Sequence, residues 1–214
     1  MELVIARYKE PLDWLDAYRA LPITIYDKGN QNSANSLPNV GREAHTYLHH
    51  IITQYDNLAD LTVFLQGSPF DHTPDLYEKI WSLHEEIQFL DLCDNVLCED
   101  ALGDPAQPGI PLGQMYGRLF NTSPPSWYLA QAAACFAVSR TTILARPKRD
   151  YENFLQIVLE EEMGPWTIER LWRHIFTIRP TTEGIVTAAD SQRFSDLQIL
   201  IQSIREQSDY PVAV

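Results

Sequence analysis

No stretch of the chain approaches the roughly 20 apolar residues that a membrane-spanning helix requires. The first residues do not make a signal peptide either. Glu2 and Arg7 interrupt a short apolar run, and no small-residue cleavage site follows it. Positive charge is scarce: 16 lysines and arginines stand against 29 acidic residues, for a net charge of -13. With no basic stripe to displace counterions from a phosphate backbone, the sequence argues against nucleic-acid binding. The longest acidic run, Glu160 to Glu162, reads as a solvated helix end. An anionic ligand would therefore need local help from arginines and helix N-termini. Cysteine is sparse and odd in number. Cys93, Cys98 and Cys135 lack metal-site spacing and read as buried thiols in a reducing, cytoplasmic compartment. Glycine-rich phosphate loops and dinucleotide fingerprints are missing. Ser139 has no GxSxG setting and the histidines form no HExxH.

What is present reads as one α/β domain of 214 residues, long enough for a real core. Leu3-Val4-Ile5-Ala6 predicts a first strand. A helix follows over 12–21, introduced by Pro11 and ended by Pro22. Ile23 to Tyr26 predicts a second strand that turns out through Asp27-Lys28-Gly29. After a polar loop, Ala44, Tyr47, Leu48, Ile51, Ile52 and Tyr55 recur at helical spacing, with Arg42, His45 and His49 on the other side. Leu61 to Leu65 predicts a buried third strand. This alternation predicts three layers, a mostly parallel sheet with helices on both faces. Thr73-Pro74 suits the start of a helix running to about Phe89. Between Leu92 and Trp127 periodicity fades among prolines and glycines, the pattern of a long irregular stretch that is either functional or a plain loop. The segment QAAACFAVSR fits either helix or buried strand. Helices are expected over 151–162 and 167–176, a loop over 180–188, and a last amphipathic helix through Phe194, Leu197, Leu200, Ile201 and Ile204.

Candidate functional residues gather at the carboxyl ends of the three strands, where open α/β sheets bind ligands. Arg7, Tyr26, Arg42 and Gln66 are expected to line a pocket there. Arg42 opens a helix behind Asn39 and Gly41, so a diphosphate would meet free backbone N–H groups and a guanidinium. The alternative for Arg42 is an ion pair with Glu43 or Glu10. Tyr8 and Tyr26 can stack on a nucleobase or simply close the rim of the core. Asp27 can accept from a ribose or base edge, with Lys28 beside it. Gln66-Gly67 ends the central strand. Asp71 and His72 follow, and Asp71 can hold a hard divalent cation such as Mg²⁺ or Mn²⁺ or cap a turn. His45 and His49 at i, i+4, with Asp71 or His72, are a possible metal set for a hydrolase. Trp166 and Trp172 can serve as a sugar platform or anchor their helix. No organic cofactor is indicated.

The segments VIARYKEPLDWL, ITIYDKG, LPNVGREAHTYLHHI, YDNLADLTVFLQGSPFDH, ACFAVSR and WTIERLWRHIF span residues 4–176. Together they resemble the family catalogued as domain of unknown function 3431, whose name carries no activity. The order of elements is also similar to that of GT-A-type glycosyltransferases. That resemblance implies a nucleotide-binding half over 1–73, an acceptor half over 74–179 and a C-terminal loop and helix over 180–214. It implies a nucleotide-sugar donor, an acceptor of unknown identity and a carboxylate base on the helix of ERLW, which is Glu169. At N2 of a helix beginning near Thr167, Glu169 would feel the helix dipole, as base or as a mere stabilising charge. Where that family carries Asp-x-Asp, this chain reads QGSPFDH after Val63-Phe64-Leu65, leaving Asp71 to assist the diphosphate. The expectation is a glycosyltransferase. The alternatives are a non-catalytic nucleotide- or sugar-binding protein on the same fold and a metal-dependent hydrolase.

Overall fold

In a computed structural model, the described residues are 1–93, 95–99, 109–124, 127–131 and 133–177, with backbone only at 95–99, 127–129 and 131. The chain divides into Met1–Arg179 and Pro180–Val214. The expected loop at 180–188 and the helix through Phe194 lie outside the described residues.

In chain order the elements are β1 (Glu2–Arg7), a 3-10 turn (Asp13–Tyr18), β2 (Ile23–Asp27), α1 (Arg42–Gln54), β3 (Leu61–Gln66) and α2 (Leu76–Trp81). Then come β4 (Phe89–Asp91), β5 (Asn95–Glu99), α3 (Leu112–Phe120), β6 (Trp127–Gln131), β7 (Phe136–Ser139), α4 (Arg140–Leu144), α5 (Lys148–Glu160) and α6 (Gly164–Thr177). The main sheet has the order β2-β1-β3-β7-β4, and β5 pairs with β6 in a separate two-stranded sheet.

The three predicted strands are adjacent and parallel, with Leu3 opposite Ile23 and Val63. The sheet as a whole is mixed, which corrects the expectation of a mostly parallel one. β7 runs antiparallel to β3 and to β4, so two of the four ladders are parallel and two antiparallel. The reason lies in QAAACFAVSR, whose buried segment Phe136–Ser139 pairs between β3 and β4, so that tertiary pairing overrides the helical preference of its alanines. Ser139 then caps α4, its side chain accepting from the Thr142 N–H at 3.1 Å.

Side-chain alternation divides the core between the two sheet faces. Val4, Phe64, Phe136 and Val138 meet α1, α5 and α6 through Tyr47, Leu48, Tyr151, Phe154, Leu171 and Trp172. Leu3, Ile5, Val63, Leu65 and Ala137 meet the 3-10 turn and α2 through Leu15, Tyr18, Leu76 and Ile80. Helices therefore cover both faces, as three layers require. Tyr47 is fully buried among Phe64, Phe136 and Trp172 and donates to the Ala134 carbonyl at 2.8 Å, so its polar tip costs the core little.

Other boundaries move for physical reasons. The expected helix at 12–21 shrinks to a 3-10 turn without a capping side chain. The helix expected to reach Phe89 ends at Trp81, because Phe89–Asp91 joins the sheet beside β7. The irregular stretch 92–127 contains β5, α3 and the first residue of β6, which pairs antiparallel with β5. α6 starts at Gly164, with Pro165 in its first turn where a missing N–H costs nothing. Glu169 is thus in the second turn and not at N2. No helix among the described residues is long and apolar enough to cross a membrane.

Candidate functional site

β1, β2 and β3 run the same way, so Arg7, Asp27 and Gln66 end at one edge of the sheet. β7 runs against β3, with Phe136 opposite Phe64, and brings Cys135 and Ala134 to that edge from the other direction. α1 returns over the sheet between β2 and β3, so its first turn also stands there.

Two separate constructions occupy this edge. The first lies on the face of Leu3 and Ile5. Arg7 forms an ion pair with buried Asp27, and its Nε donates to the Glu10 carbonyl at 3.0 Å. The second Asp27 oxygen accepts the N–H groups of Gly29 and Asn30 at 2.8 and 2.9 Å, an Asx-type turn. Glu10 accepts the N–H of Tyr8 at 2.7 Å and of Lys9 at 3.0 Å. Gly67 lies so close that a Cβ there would stand 2.6 Å from Glu10 Oε2, and its carbonyl accepts from Trp14 Nε1 at 3.0 Å. Arg7, Asp27 and Gly67 are thus bound up in joining the strand ends. Tyr8 is exposed, with Lys9 over its ring at 4.8 Å.

The second construction is on the opposite face, where α1 meets α6. Gly41 and Arg42 both take left-handed backbone, with φ of 62° and 48°. Gly41 has no alternative: a Cβ there would meet Val158 Cγ1 at 2.6 Å and His45 Cβ at 2.8 Å. Lys28 reaches across from the end of β2 and donates its ammonium to the carbonyls of Val40, at 2.6 Å, and Arg42. Burial pushes the Lys28 amine down to about 8, against a smaller upward pull from Glu43. The Arg42 guanidinium, half exposed, lies 5.2 Å above the Trp166 ring and 3.5 Å from Glu43, the pairing weighed above as its alternative.

Glu169 is the carboxylate of this face. It is 8 % exposed and paired with Arg170, itself 4 % exposed. Burial raises its pKa. Arg170 pulls it back, Glu43 adds to the rise, and Arg42 opposes it. These influences mark Glu169 as electrostatically coupled to the first turn of α1. His45 is buried, and burial first, with Lys28 and His49 behind it, lowers it to about 4. It is therefore neutral near pH 7. Its ring stacks on that of His49, with centroids 6.2 Å apart, and its Nδ1 has no hydrogen-bond partner among the described residues.

Gly41, Arg42, His45, Lys28 and Glu169 are therefore brought into one neighbourhood. Asn39 is exposed in the loop leading to it, and Gln66 is half-buried at the end of β3. Tyr26 goes elsewhere: its buried ring meets His49 and His50 edge-on, and its hydroxyl lies 3.2 Å from His50 Nδ1. His50 in turn is 3.9 Å from Glu2, at the beginning of β1, so that hydroxyl points away from the strand carboxyl ends. Asp71 and His72 are exposed on a turn in which the Pro69 carbonyl accepts the N–H of His72 and Thr73 at 3.2 and 2.9 Å. No group of three or more His, Cys, Asp or Glu side chains among the described residues is placed to hold a metal ion, so His45, His49 and Asp71 do not assemble into one.

Sequence reasoning missed Arg170, Trp166 as the partner of Arg42, and the ion pair of the Asp91 carboxylate with the partly exposed Arg173. The Glu169-Arg170 pair carried a signal: two adjacent opposite charges among the apolar residues Ile168, Leu171 and Trp172 must compensate one another once that helix is buried. Asp91 carried none, because it fell between the helix expected to end at about Phe89 and the irregular stretch from Leu92.

No curated protein matches the chain, and no solved structure does. A family model does, over residues 3–189, and its description is "Protein of unknown function (DUF3431)". That span runs from β1 through the whole of α6, so both constructions at the sheet edge fall within it, and the chain belongs to this family.

Proposed function

We propose that the chain transfers a sugar from a nucleotide-sugar donor to a hydroxyl acceptor. One observation carries the reading: buried Glu169 lies one turn along α6 from Trp166, over whose ring stands Arg42 of the left-handed first turn of α1. Carboxylates of raised pKa beside a charge partner are typical of sites that move protons. The GT-A-like succession of strands supports it as analogy, a warrant for fold more than for chemistry.

In this reading Arg42 and the N–H groups opening α1 hold the diphosphate, whose charge grows as the sugar–phosphate bond breaks. Glu169 takes the proton of the acceptor hydroxyl as its oxygen attacks the anomeric carbon. The raised pKa makes Glu169 a stronger base, and Arg170 keeps its ionised form populated and oriented. Because His45 is neutral near pH 7, the positive charge of the site comes from Arg42 and Lys28. A divalent cation is part of the chemistry in many enzymes of the resembling class, supplying a counter-charge to the leaving diphosphate. The donor set here does not fit one: Asp71 and His72 are exposed on a turn and belong to no group of three or more His, Cys, Asp or Glu side chains among the described residues. The proposal therefore takes no step through a metal.

The test is thermal-shift screening of nucleoside diphosphates and nucleotide-sugars, with and without Mg²⁺ or Mn²⁺, since a ligand that binds the folded state raises its apparent stability. Any donor found is then assayed for turnover. Glu169→Gln is expected to retain donor binding and to lose about 10²–10⁴ in rate. Undiminished turnover in that variant would remove Glu169 as base. Donor binding without hydrolysis or transfer would assign the fold to a non-catalytic binding protein.

A further inference from the structure

Lys28 stands one residue beyond β2 with its side chain 6 % exposed, and its backbone N–H is held by the Arg7 carbonyl at 2.8 Å. A buried lysine needs partners for its N–H groups, and this one finds two carbonyls, those of Val40 and Arg42. These carbonyls bracket the two consecutive left-handed residues, Gly41 and Arg42. Glycine adopts that backbone freely, but arginine does so only when its surroundings impose it. With right-handed backbone at residue 42, its Cα–Cβ bond would leave in another direction and the guanidinium would not stand over Trp166.

We propose that Lys28 is a positioning residue: by clamping the Val40 and Arg42 carbonyls it fixes the left-handed turn and thereby the place of the Arg42 guanidinium, without touching ligand itself. This rests on the reading of Arg42 as the diphosphate contact. It also reassigns Lys28, which strand-end position alone would make a nucleotide ligand. The ammonium is enclosed and two of its three N–H groups are engaged on backbone, so it acts on an anion through Arg42 and not by contact.

The chain has 5 tryptophans, hence as many indole N–H resonances in a ¹⁵N-labelled sample. That of Trp166 is assigned by its loss in Trp166→Phe. In Lys28→Met it should move to where Arg42→Ala puts it. Affinity for uridine, guanosine and adenosine diphosphates, measured calorimetrically in EDTA, should fall for whichever of them binds. The fall should be tenfold or more in Lys28→Met, similar in Arg42→Ala, and no greater in the double variant. A Trp166 resonance unmoved by Lys28→Met overturns the proposal, as does a double variant whose loss is the product of the two single losses. If the wild-type chain binds none of the three diphosphates, the functional reading fails, while the Trp166 resonance still decides the positioning role. Should Lys28→Met not give a folded spectrum, Lys28→Gln, too short to span both carbonyls, is read the same way: a displaced resonance supports the clamp and an unchanged one refutes it.

Discussion

Acid should unfold this protein well before its carboxylates are fully protonated, because His45, His50 and His174 are all buried and lowered to about 4; the last two show the size of the effect. His50 is 1 % exposed and His174 6 % exposed. Burial lowers both to about 4, helped by His49 in the first case and Arg173 in the second. The unfolded chain protonates each near 6.5, so between 6.5 and 4 it binds more protons than the folded one. Stability is therefore fully present above pH 6.5, falls as the pH drops through that window, and stops falling on this account below 4. The loss is about 3 kcal/mol per histidine, on the order of 6 kcal/mol for the pair, against a typical total of roughly 5–15 kcal/mol. Glu169 works in the opposite sense, since its raised pKa lets the folded state take up a proton first. His50 has Glu2 at 3.9 Å to receive its charge, whereas His174 faces the Tyr116 hydroxyl at 3.2 Å and the Arg173 cation beside it. Urea unfolding from about pH 7.5 down to about pH 4.5 should show His174→Gln with a slope shallower by up to about 1.4 kcal/mol per pH unit. A pH dependence identical to that of the wild-type chain would refute the assignment.

Two further outcomes test the geometry at the start of α1 and the turn after β3. Gly41→Ala should cost roughly 2–4 kcal/mol in chemical denaturation, from left-handed backbone plus the collision with Val158 and His45; a loss below about 1 kcal/mol would mean the turn relaxes freely. Asp71→Ala should leave stability within about 0.5 kcal/mol because the side chain is exposed, and should weaken diphosphate binding about tenfold if Asp71 assists the leaving group; unchanged affinity would remove it from the site.

The first half of the fold was legible because its strands and helix obey one period each. Leu3 to Ala6, Ile23 to Tyr26 and Leu61 to Leu65 are apolar runs bounded by turns, and all three are β-strands in adjacent positions. Ala44, Tyr47, Leu48 and Ile51 give α1 its buried face. The second half was less legible because its strands are short and their identity comes from partners far away in sequence. Phe89–Asp91 has three residues and becomes a strand only because Phe136–Ser139 lies beside it. Four residues rich in alanine and phenylalanine do not carry enough period to be told from a helix. The direction of β7, and with it the mixed sheet, depends on those same two segments.

The site divides along the same line, but for a different reason. Residue type and strand-end position pointed to Arg7, Tyr26, Asp27, Lys28, Arg42 and Gln66 together, because all fall near one edge in sequence terms. Side-chain alternation then separates them: Arg7 and Asp27 share the face of Leu3 and Ile5, while Tyr26 turns to α1 and into the core. What the sequence could not tell is how each polar group is already employed. Asp27 satisfies an arginine and two backbone N–H groups, Lys28 two carbonyls, and Tyr26 a histidine. A buried polar group must be paired, so at a strand end it serves the fold unless some atom of it is left over. By that criterion His45, whose buried Nδ1 has no hydrogen-bond partner among the described residues, is a residue of this edge that structural need does not fully account for, and it stands one turn along α1 from Arg42, half exposed on strained backbone.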